Sequence, residues 1–382
     1  MVKLVESLKI NYILPVAGRT GGTRVLLNFM NSLSSMGHEV TMTTLYYNRW
    51  FPLSADVKVI SKKTYFDAGY FFKMSNLSKK KIAVSISMLN KLNKMSPKTD
   101  INIATIAQTA YLSSWKSIEG AATLHHMQHF ESILFDDPIM KKFISDTYFL
   151  PIYRVANSRW LRDKLYDFTG QKYTVVYPAI EHDIFYKRED GIFSTTEKII
   201  NIVALGKGGW KSANGIYNAV NKVRSMEKDK KIILHFFGHK PVAGIPFDGQ
   251  YTIFHKDLSD DALALLYSSS DIQVTFSKAE SFPLPPLEAM ACGAAVITTP
   301  YGTEDYTVDG DNALIVEPDN IDMLANKIKT LIEDKDLMKR LKDNGIKTAD
   351  KFNYSIQAKI FEKEIRNALE ENTLTNLNSK II

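Results

Sequence analysis

The chain has 382 residues, 45% of them apolar and 24% charged, and at ~150 residues per ordinary domain it makes two or three domains, each able to bury a core. Nineteen Gly and thirteen Pro are too few for a collagen or a low-complexity polymer, and this apolar fraction argues against long intrinsic disorder. The net charge of +6 is held unevenly: residues 1–183 carry 23 Lys/Arg against 14 Asp/Glu, and the remainder 25 against 28.

The single cysteine, Cys292, cannot form an internal disulfide and excludes a multi-cysteine zinc or iron–sulfur site. No apolar run approaches the ~18–20 residues that span a bilayer. Met1–Glu6 has neither the length nor the apolar stretch of a secretory signal. A cytoplasmic address is expected, with a basic N-terminal half whose field attracts anionic lipid, nucleic acid or a phosphorylated substrate.

In chain order, Lys9–Leu14 (KINYIL) reads as a buried strand, Thr23–Met36 as a helix stopped by Gly37, and Glu39–Leu45 as a strand again. This β-loop-α-β unit is the building block of a parallel sheet covered by helices. Between Asp67 and Ser96 the pattern is a Lys-rich amphipathic helix. Apolar runs at Ile101–Ile106, Ala121–Leu124, Val155–Asn157 and Tyr173–Tyr177 complete a first strand series. After a polar linker at Glu189–Glu197 comes a second series: Ile199–Leu205, Lys231–Phe237, Tyr251–Phe254, Asp271–Phe276, Ala294–Thr299 and Ala313–Val316. Helical patterns at Asn214–Met226, Asp260–Ser268 and Leu287–Cys292 separate them, and a last one at Ser355–Glu370 precedes an Asn/Thr/Ser-rich tail expected to be disordered. Two doubly wound α/β halves are predicted.

Such halves bind nucleotides where strand ends meet helix N-termini, because unpaired N–H groups and the helix dipole favour phosphate there. The dinucleotide fingerprint fails: Gly18, Gly21 and Gly22 do not fit G-x-G-x-x-G, and after Gly206, Gly208 and Gly209 the last glycine's place is held by Lys211. A P-loop fails as well, since Lys211-Ser212 follows Trp210 instead of Gly. What remains is a set of loops. Gly21-Gly22 opens the first helix, where glycine admits close backbone approach or simply makes a tight turn. Lys207 and Lys211 flank a Gly-Gly-Trp loop and bring two ammonium groups to one anion, unless they are solvated surface charge.

The most informative segment is Ser277–Gly293, SKAESFPLPPLEAMACG. It places Glu280 in a loop and Glu288 in the opening turn of a helix, with prolines at 283, 285 and 286, where a helix start tolerates them. Backbone N–H groups around Phe282 and Leu284 would face a diphosphate while the two carboxylates grip hydroxyls on either side of it. The plainer alternative makes Glu288 a residue on the helix dipole and Glu280 surface charge.

This block, followed by Thr298-Thr299-Pro300-Tyr301-Gly302, resembles the E-x7-E signature of the family-four retaining glycosyltransferases of GT-B fold. Other segments are similar at matching places: Gly21-Gly22 to the family's N-terminal glycine loop, Gly37-His38-Glu39-Val40 to its "GHEV", Val176–Phe185 to its hinge strand, and Asp309–Leu314 to its "DGxNGLLV". The resemblance implies two Rossmann-like domains facing across a cleft, an acceptor domain at 1–185 and a donor domain at 186–352. A helix at 353–372 would pack back on the first domain, leaving a tail at 373–382.

Carried over, Glu288 holds the donor ribose and Glu280 the donor sugar. Lys211, Lys207, Gly21, Gly22, Phe282, Pro283 and Leu284 surround the diphosphate, although Lys207 stands one residue short of the family's arginine. In the cluster His125-His126-Met127-Gln128-His129-Phe130-Glu131 the residue meeting the reacting sugar is His125 by one alignment and His129 by another. Two of the three histidines are then structural. A zinc site is disfavoured because H-E-x-x-H and cysteine partners are lacking. The resemblance implies no metal, no tightly bound cofactor and no protein nucleophile. The donor would be a UDP-, GDP- or dTDP-sugar. The acceptor would be a lipid-linked or polymeric glycan of the cell surface, as in cell-envelope polysaccharide biosynthesis. A non-catalytic glycan- or nucleotide-sugar-binding protein of the same fold is the competing reading. No nucleic-acid recognition motif is present. The face around Phe71–Met95, with Phe71, Phe72, Lys73, Lys79, Lys80 and Lys81, is expected to approach anionic lipid on the inner side of the cell membrane.

Overall fold

The computed structural model describes residues 6–61, 78–189, 191–193 and 198–381, with side chains at all of these but 78–80 and 373–381. The chain forms two compact units, one of residues 1–178 and 354–382, the other of residues 179–353. The division follows Pro178, seven residues before the expected Phe185, because the linking segment is held by the second unit. Ile180 bridges Asn353 and donates its N–H to the Phe352 carbonyl at 3.3 Å, and the Phe185 ring packs on Tyr267.

The first unit is a seven-stranded parallel sheet. Its strands are β1 (Lys9–Ile13), β3 (Glu39–Thr44), β5 (Lys58–Ser61), β6 (Ile101–Ala104), β7 (Ala122–Met127), β8 (Tyr153–Ala156) and β9 (Thr174–Val175), in the order β5-β3-β1-β6-β7-β8-β9. A two-residue pair, β2 (Val16–Ala17) with β4 (Tyr46–Tyr47), stands apart. Both faces of a parallel sheet are covered, so its inner strands are mostly apolar; all four residues of β6 (INIA) are buried, Asn102 included. The helices between the strands are α1 (Gly21–Ser35), α2 (Ser78–Met95), α3 (Ala107–Ile118), α4 (Pro138–Ser145) and α5 (Arg159–Thr169). Of the proposed lipid-facing residues, Phe71, Phe72, Lys73 and the side chains of Lys79 and Lys80 lie outside the described residues.

The second unit has six parallel strands, β10 (Ile199–Leu205), β11 (Lys231–Gly238), β12 (Thr252–Lys256), β13 (Ile272–Val274), β14 (Ala295–Thr298) and β15 (Leu314–Ile315), in the order β12-β11-β10-β13-β14-β15. Its helices are α6 (Ala213–Met226), α7 (Asp260–Ser268), α8 (Leu284–Ala291), α9 (Ile321–Glu333) and α10 (Lys335–Ala349). Ile202, Leu234, Ile272 and Ile297 from the strands pack with Ile216, Val220, Leu324 and Ile328 from α6 and α9 in one continuous core.

The last helix, α11 (Tyr354–Ile381), belongs to the first unit and packs on α1 and β7. Phe361 is wholly buried, 5.2 Å from the Phe29 ring and 4.5 Å from His126. Glu364 accepts the Tyr153 hydroxyl at 2.6 Å, and the Asn372 amide reaches the Gly120 carbonyl at 3.2 Å. The helix runs past Glu370, where the amphipathic pattern ends. Residues 371–381 (ENTLTNLNSKI) contain neither Gly nor Pro, so nothing in them terminates a helix already nucleated by tertiary packing.

Candidate functional site

In the second sheet the strand order reverses between β10 and β13, and an open α/β sheet binds its ligand in the crevice outside the strand ends at such a point. The loop leaving β10 begins at Gly206, whose N–H donates to the Phe237 carbonyl at 2.8 Å. A Cβ there would stand 2.9 Å from the Phe254 ring and 3.3 Å from the Phe237 carbonyl, so only glycine lets the chain turn this close to its neighbours. One 3-10 turn, Gly209–Lys211, follows, and Ser212 in the left-handed region (φ 54°) redirects the chain into α6. Lys207 Nζ lies 5.6 Å from the centre of the Trp210 ring, within reach of a cation–π attraction.

The loop leaving β13 faces the first. Lys278 donates its N–H to the Trp210 carbonyl at 2.8 Å, which ties the two loops together. The Thr299 hydroxyl donates to the Ser277 carbonyl at 2.8 Å, and the Tyr306 hydroxyl to the Pro283 carbonyl at 2.7 Å. Gly302 (φ 75°) lies against the same loop, where a Cβ would be 2.7 Å from the Glu280 carbonyl oxygen. Phe282, Tyr306 and Phe352 cluster beside the loop in tilted and edge-on contacts, with ring centres 5.1–5.9 Å apart.

Helix α8 starts at Leu284, three residues before the predicted Leu287. Pro285 and Pro286 fit its second and third positions, where no intrahelical donor is required. Glu288 is thus its fifth residue, just beyond the opening turn in which the proline pattern places it. A helix start leaves four N–H groups unpaired; prolines at 283, 285 and 286 remove three of them, and Leu284 keeps the fourth. The Glu288 carboxylate is buried, with the Tyr267 hydroxyl 3.5 Å away.

The ammonium of Lys211 and the carboxylate of Glu280 form an ion pair across the crevice, with side chains 17% and 12% exposed. A cleft lined by both, with Val274, Phe276, Pro283 and Pro285, opens beside them. Lys207, Lys211, Glu280, Phe282, Pro283, Leu284 and Glu288 are therefore all borne by the edge of this one sheet. Tyr267 and Tyr306, which sequence reasoning did not single out, shape it too, as does Gly302 of the Thr298–Gly302 segment. Their contacts run between residues 20 or more positions apart, which no local motif displays.

Gly21, Gly22 and the histidines belong to the first unit. The glycines are the first two residues of α1 rather than a loop before it. Thr20 caps the helix by accepting the Thr23 N–H at 3.2 Å, and no atom lies within 4 Å of a Cβ built at Gly22. Strand β7 continues to Met127, so His125 and His126 lie within it rather than after it. In a strand covered on both faces, polarity is a poor guide to where the strand ends.

His125 is wholly buried and neither ring nitrogen has a hydrogen-bond partner. Burial holds its pKa well below the ordinary 6.5, aided by the charge of its register partner Arg154 and by His126. His126 packs edge-on to Phe29 at 5.1 Å and against Phe361, and burial lowers its pKa to about 3. It is a core residue. His129 lies beyond the strand, half-buried, with its ring 5.7 Å from Trp160. Glu131 accepts the Ala107 N–H at 2.9 Å and so caps α3, and burial raises its pKa to about 7. Among the described residues no three His, Cys, Asp or Glu side chains are grouped to hold a metal.

Residues 249–348, which carry Glu280 and Glu288 but neither lysine of the loop after β10, match the family model described as glycosyl transferases group 1. An uncharacterized glycosyltransferase of Methanocaldococcus jannaschii is 25% identical over 257 residues, 64% of this chain and 67% of its own length. Among solved structures, sucrose-phosphate synthase from Thermosynechococcus elongatus superposes with a TM-score of 0.74 at 15% identity, over 95% of this chain and 99% of the other. The Anabaena protein HepE in complex with UDP and glucose gives 0.69 at 14% identity, over 94% and 100%. The two parallel sheets are those of the GT-B fold. Residues 249–348 thus match the glycosyl transferases group 1 family, and the chain is a glycosyltransferase that takes its sugar from a nucleotide sugar.

Proposed function

We propose that the crevice of the second unit holds the donor, with the diphosphate on Lys211, Lys207 and the Leu284 N–H, the ribose on Glu288 and the sugar hydroxyls on Glu280. The observation that carries this reading is the ion pair of Lys211 and Glu280 at the strand-order reversal, on loops tied by the Lys278 N–H bond to the Trp210 carbonyl, with Glu288 in the helix that follows. Charge developing on the leaving diphosphate is stabilised by fixed cations in a partly desolvated site, the office a metal fills elsewhere. Glu280 and Glu288 bind; neither is assigned the acid–base work of a hydrolase carboxylate.

UDP is the first nucleotide to test, because the Anabaena structure holds UDP and glucose. The acceptor is a lipid-linked or polymeric surface glycan, and the lysines of α2 bring the first unit to an anionic membrane. Among the described residues no helix is long and apolar enough to cross a membrane. Pelleting with anionic vesicles at low salt but not at high salt is expected; no pelleting at low salt removes that partner.

The donor assignment is tested by thermal shift with UDP-, GDP-, dTDP- and ADP-sugars, followed by the Glu288→Ala variant. Loss of a charge-assisted bond to a hydroxyl, about 1.5–3 kcal/mol, corresponds to an affinity roughly tenfold to a hundredfold weaker. Unchanged affinity in that variant would show the ribose assignment to be wrong.

A further inference from the structure

We infer that Glu280 also acts as the internal counter-ion that takes Lys211 back once the sugar has left, and that it thereby speeds release of the spent nucleoside diphosphate. This rests on the donor reading given above. Three observations carry it.

First, Lys211 and Glu280 satisfy each other across the crevice, with both side chains largely withdrawn from water. Second, the pair is built into the backbone. The Lys278 N–H bond to the Trp210 carbonyl fixes the loop of one partner to the loop of the other, and the Glu280 backbone lies so close to Gly302 that no other residue fits there. Third, Lys207, Lys211, Glu280 and Glu288 sum to zero charge, and with Lys207 against the Trp210 ring a diphosphate gains a second ammonium from this group only by taking Lys211 from Glu280.

A sugar nucleotide makes that exchange balanced. Lys211 turns to the diphosphate while the sugar hydroxyls donate to Glu280, and every charged group keeps a partner. A nucleoside diphosphate brings no such hydroxyls. With Lys211 on the phosphates, Glu280 is left as a half-desolvated carboxylate without a donor, facing like charge, which is costly. Recapture of Lys211 relieves that cost and withdraws one cation from the product. Occupied by donor the pair is open; with the sugar transferred it closes.

The test measures binding of UDP, GDP, dTDP, ADP and their sugar nucleotides to the full chain by calorimetry. The proteins compared are the wild type, Glu280→Gln, Lys211→Gln and the double variant. Glu280→Gln is expected to bind the nucleoside diphosphate about threefold to tenfold tighter, as freeing one partly exposed cation allows, and the sugar nucleotide more weakly. In the Lys211→Gln background the tightening should vanish, since the two effects are coupled through one contact. Glu280→Asp, whose shorter carboxylate retracts from Lys211, should show the same tightening in smaller measure and guards against misfolding of the Gln variant. The inference is overturned if Glu280→Gln binds the nucleoside diphosphate no tighter than wild type, or if the tightening persists without Lys211. Wild type that binds none of these ligands overturns the donor reading itself.

Discussion

The two units share one architecture and use their titratable side chains in opposite ways. Each is a parallel sheet whose strand order reverses once, between β1 and β6 in the first and between β10 and β13 in the second. At the second reversal the loops carry Lys211 and Glu280 as a partly exposed ion pair, and helix α8 beside them carries the buried Glu288 near the Tyr267 hydroxyl. The first unit buries His125 and His126 within β7, where burial keeps both neutral. A doubly wound sheet thus supplies a crevice wherever its order reverses, but the residues on its loops decide whether charge is kept there for a ligand. The glycines make the same contrast: Gly302 is pressed against the Glu280 carbonyl, and Gly22 has open space around it.

Substitution of those two glycines should separate the units by the largest effect. Gly302→Ala forces a side chain at φ 75° and to within 2.7 Å of a carbonyl oxygen. A left-handed non-glycine residue costs roughly 1–2 kcal/mol and the overlap adds about 1–3 kcal/mol. Denaturant titration should show that loss together with weakened donor binding, because the Glu280 loop must shift. Gly22→Ala meets nothing and lies in the first turn of α1, so it should leave stability unchanged or raise it by up to about 1 kcal/mol. Equal losses in the two variants would remove the contrast. A loss of donor affinity in Gly22→Ala without loss of stability would place the phosphates against α1.

Much of the scaffold was legible in the sequence because a parallel strand covered on both faces is a near-continuous apolar run, as in Ile199–Leu205, where Asn201 alone is polar. The E-x7-E block was legible for a different reason: loop, prolines and carboxylates lie within a dozen residues. What could not be read was tertiary. The role of Gly302 depends on Glu280, 22 positions earlier. The proline-rich start of α8 reads as loop, because a helix tolerates proline only in the turn where nothing else shows that it has begun. The pairing of His235 with His255 at 3.0 Å, and with Asn201 at 3.2 Å, comes from three adjacent strands and leaves no local trace. Glu131 is the clearest case, since its raised pKa arises from burial at the start of α3, which begins 24 residues before it.

Glu131 also sets the sign of the smallest effect, a difference in pH response. For His126 and His235, burial lowers the folded pKa to about 3 from 6.5, so the fold prefers the neutral ring. Their contribution is complete above pH 6.5 and is lost as pH falls from there toward 3. For Glu131 the folded pKa is raised from 4.5 to about 7, so the fold prefers the protonated acid, and its contribution is complete below pH 4.5 and lost as pH rises toward 7. Between pH 4.5 and 6.5 the first unit therefore contains opposed slopes, whereas in the second His235 and His255 act in the same direction. Glu131→Gln keeps an acceptor for the Ala107 N–H and removes the opposing titration. Unfolding free energies at pH 7 and pH 5 should then differ more in the variant than in wild type. The added difference is at most about 1.4 kcal/mol per pH unit, reduced by whatever solvent reaches the carboxyl. Parallel pH profiles for the two proteins would mean that Glu131 titrates as an ordinary surface carboxylate, and the first unit would then lose stability toward acid as steeply as its histidines alone dictate.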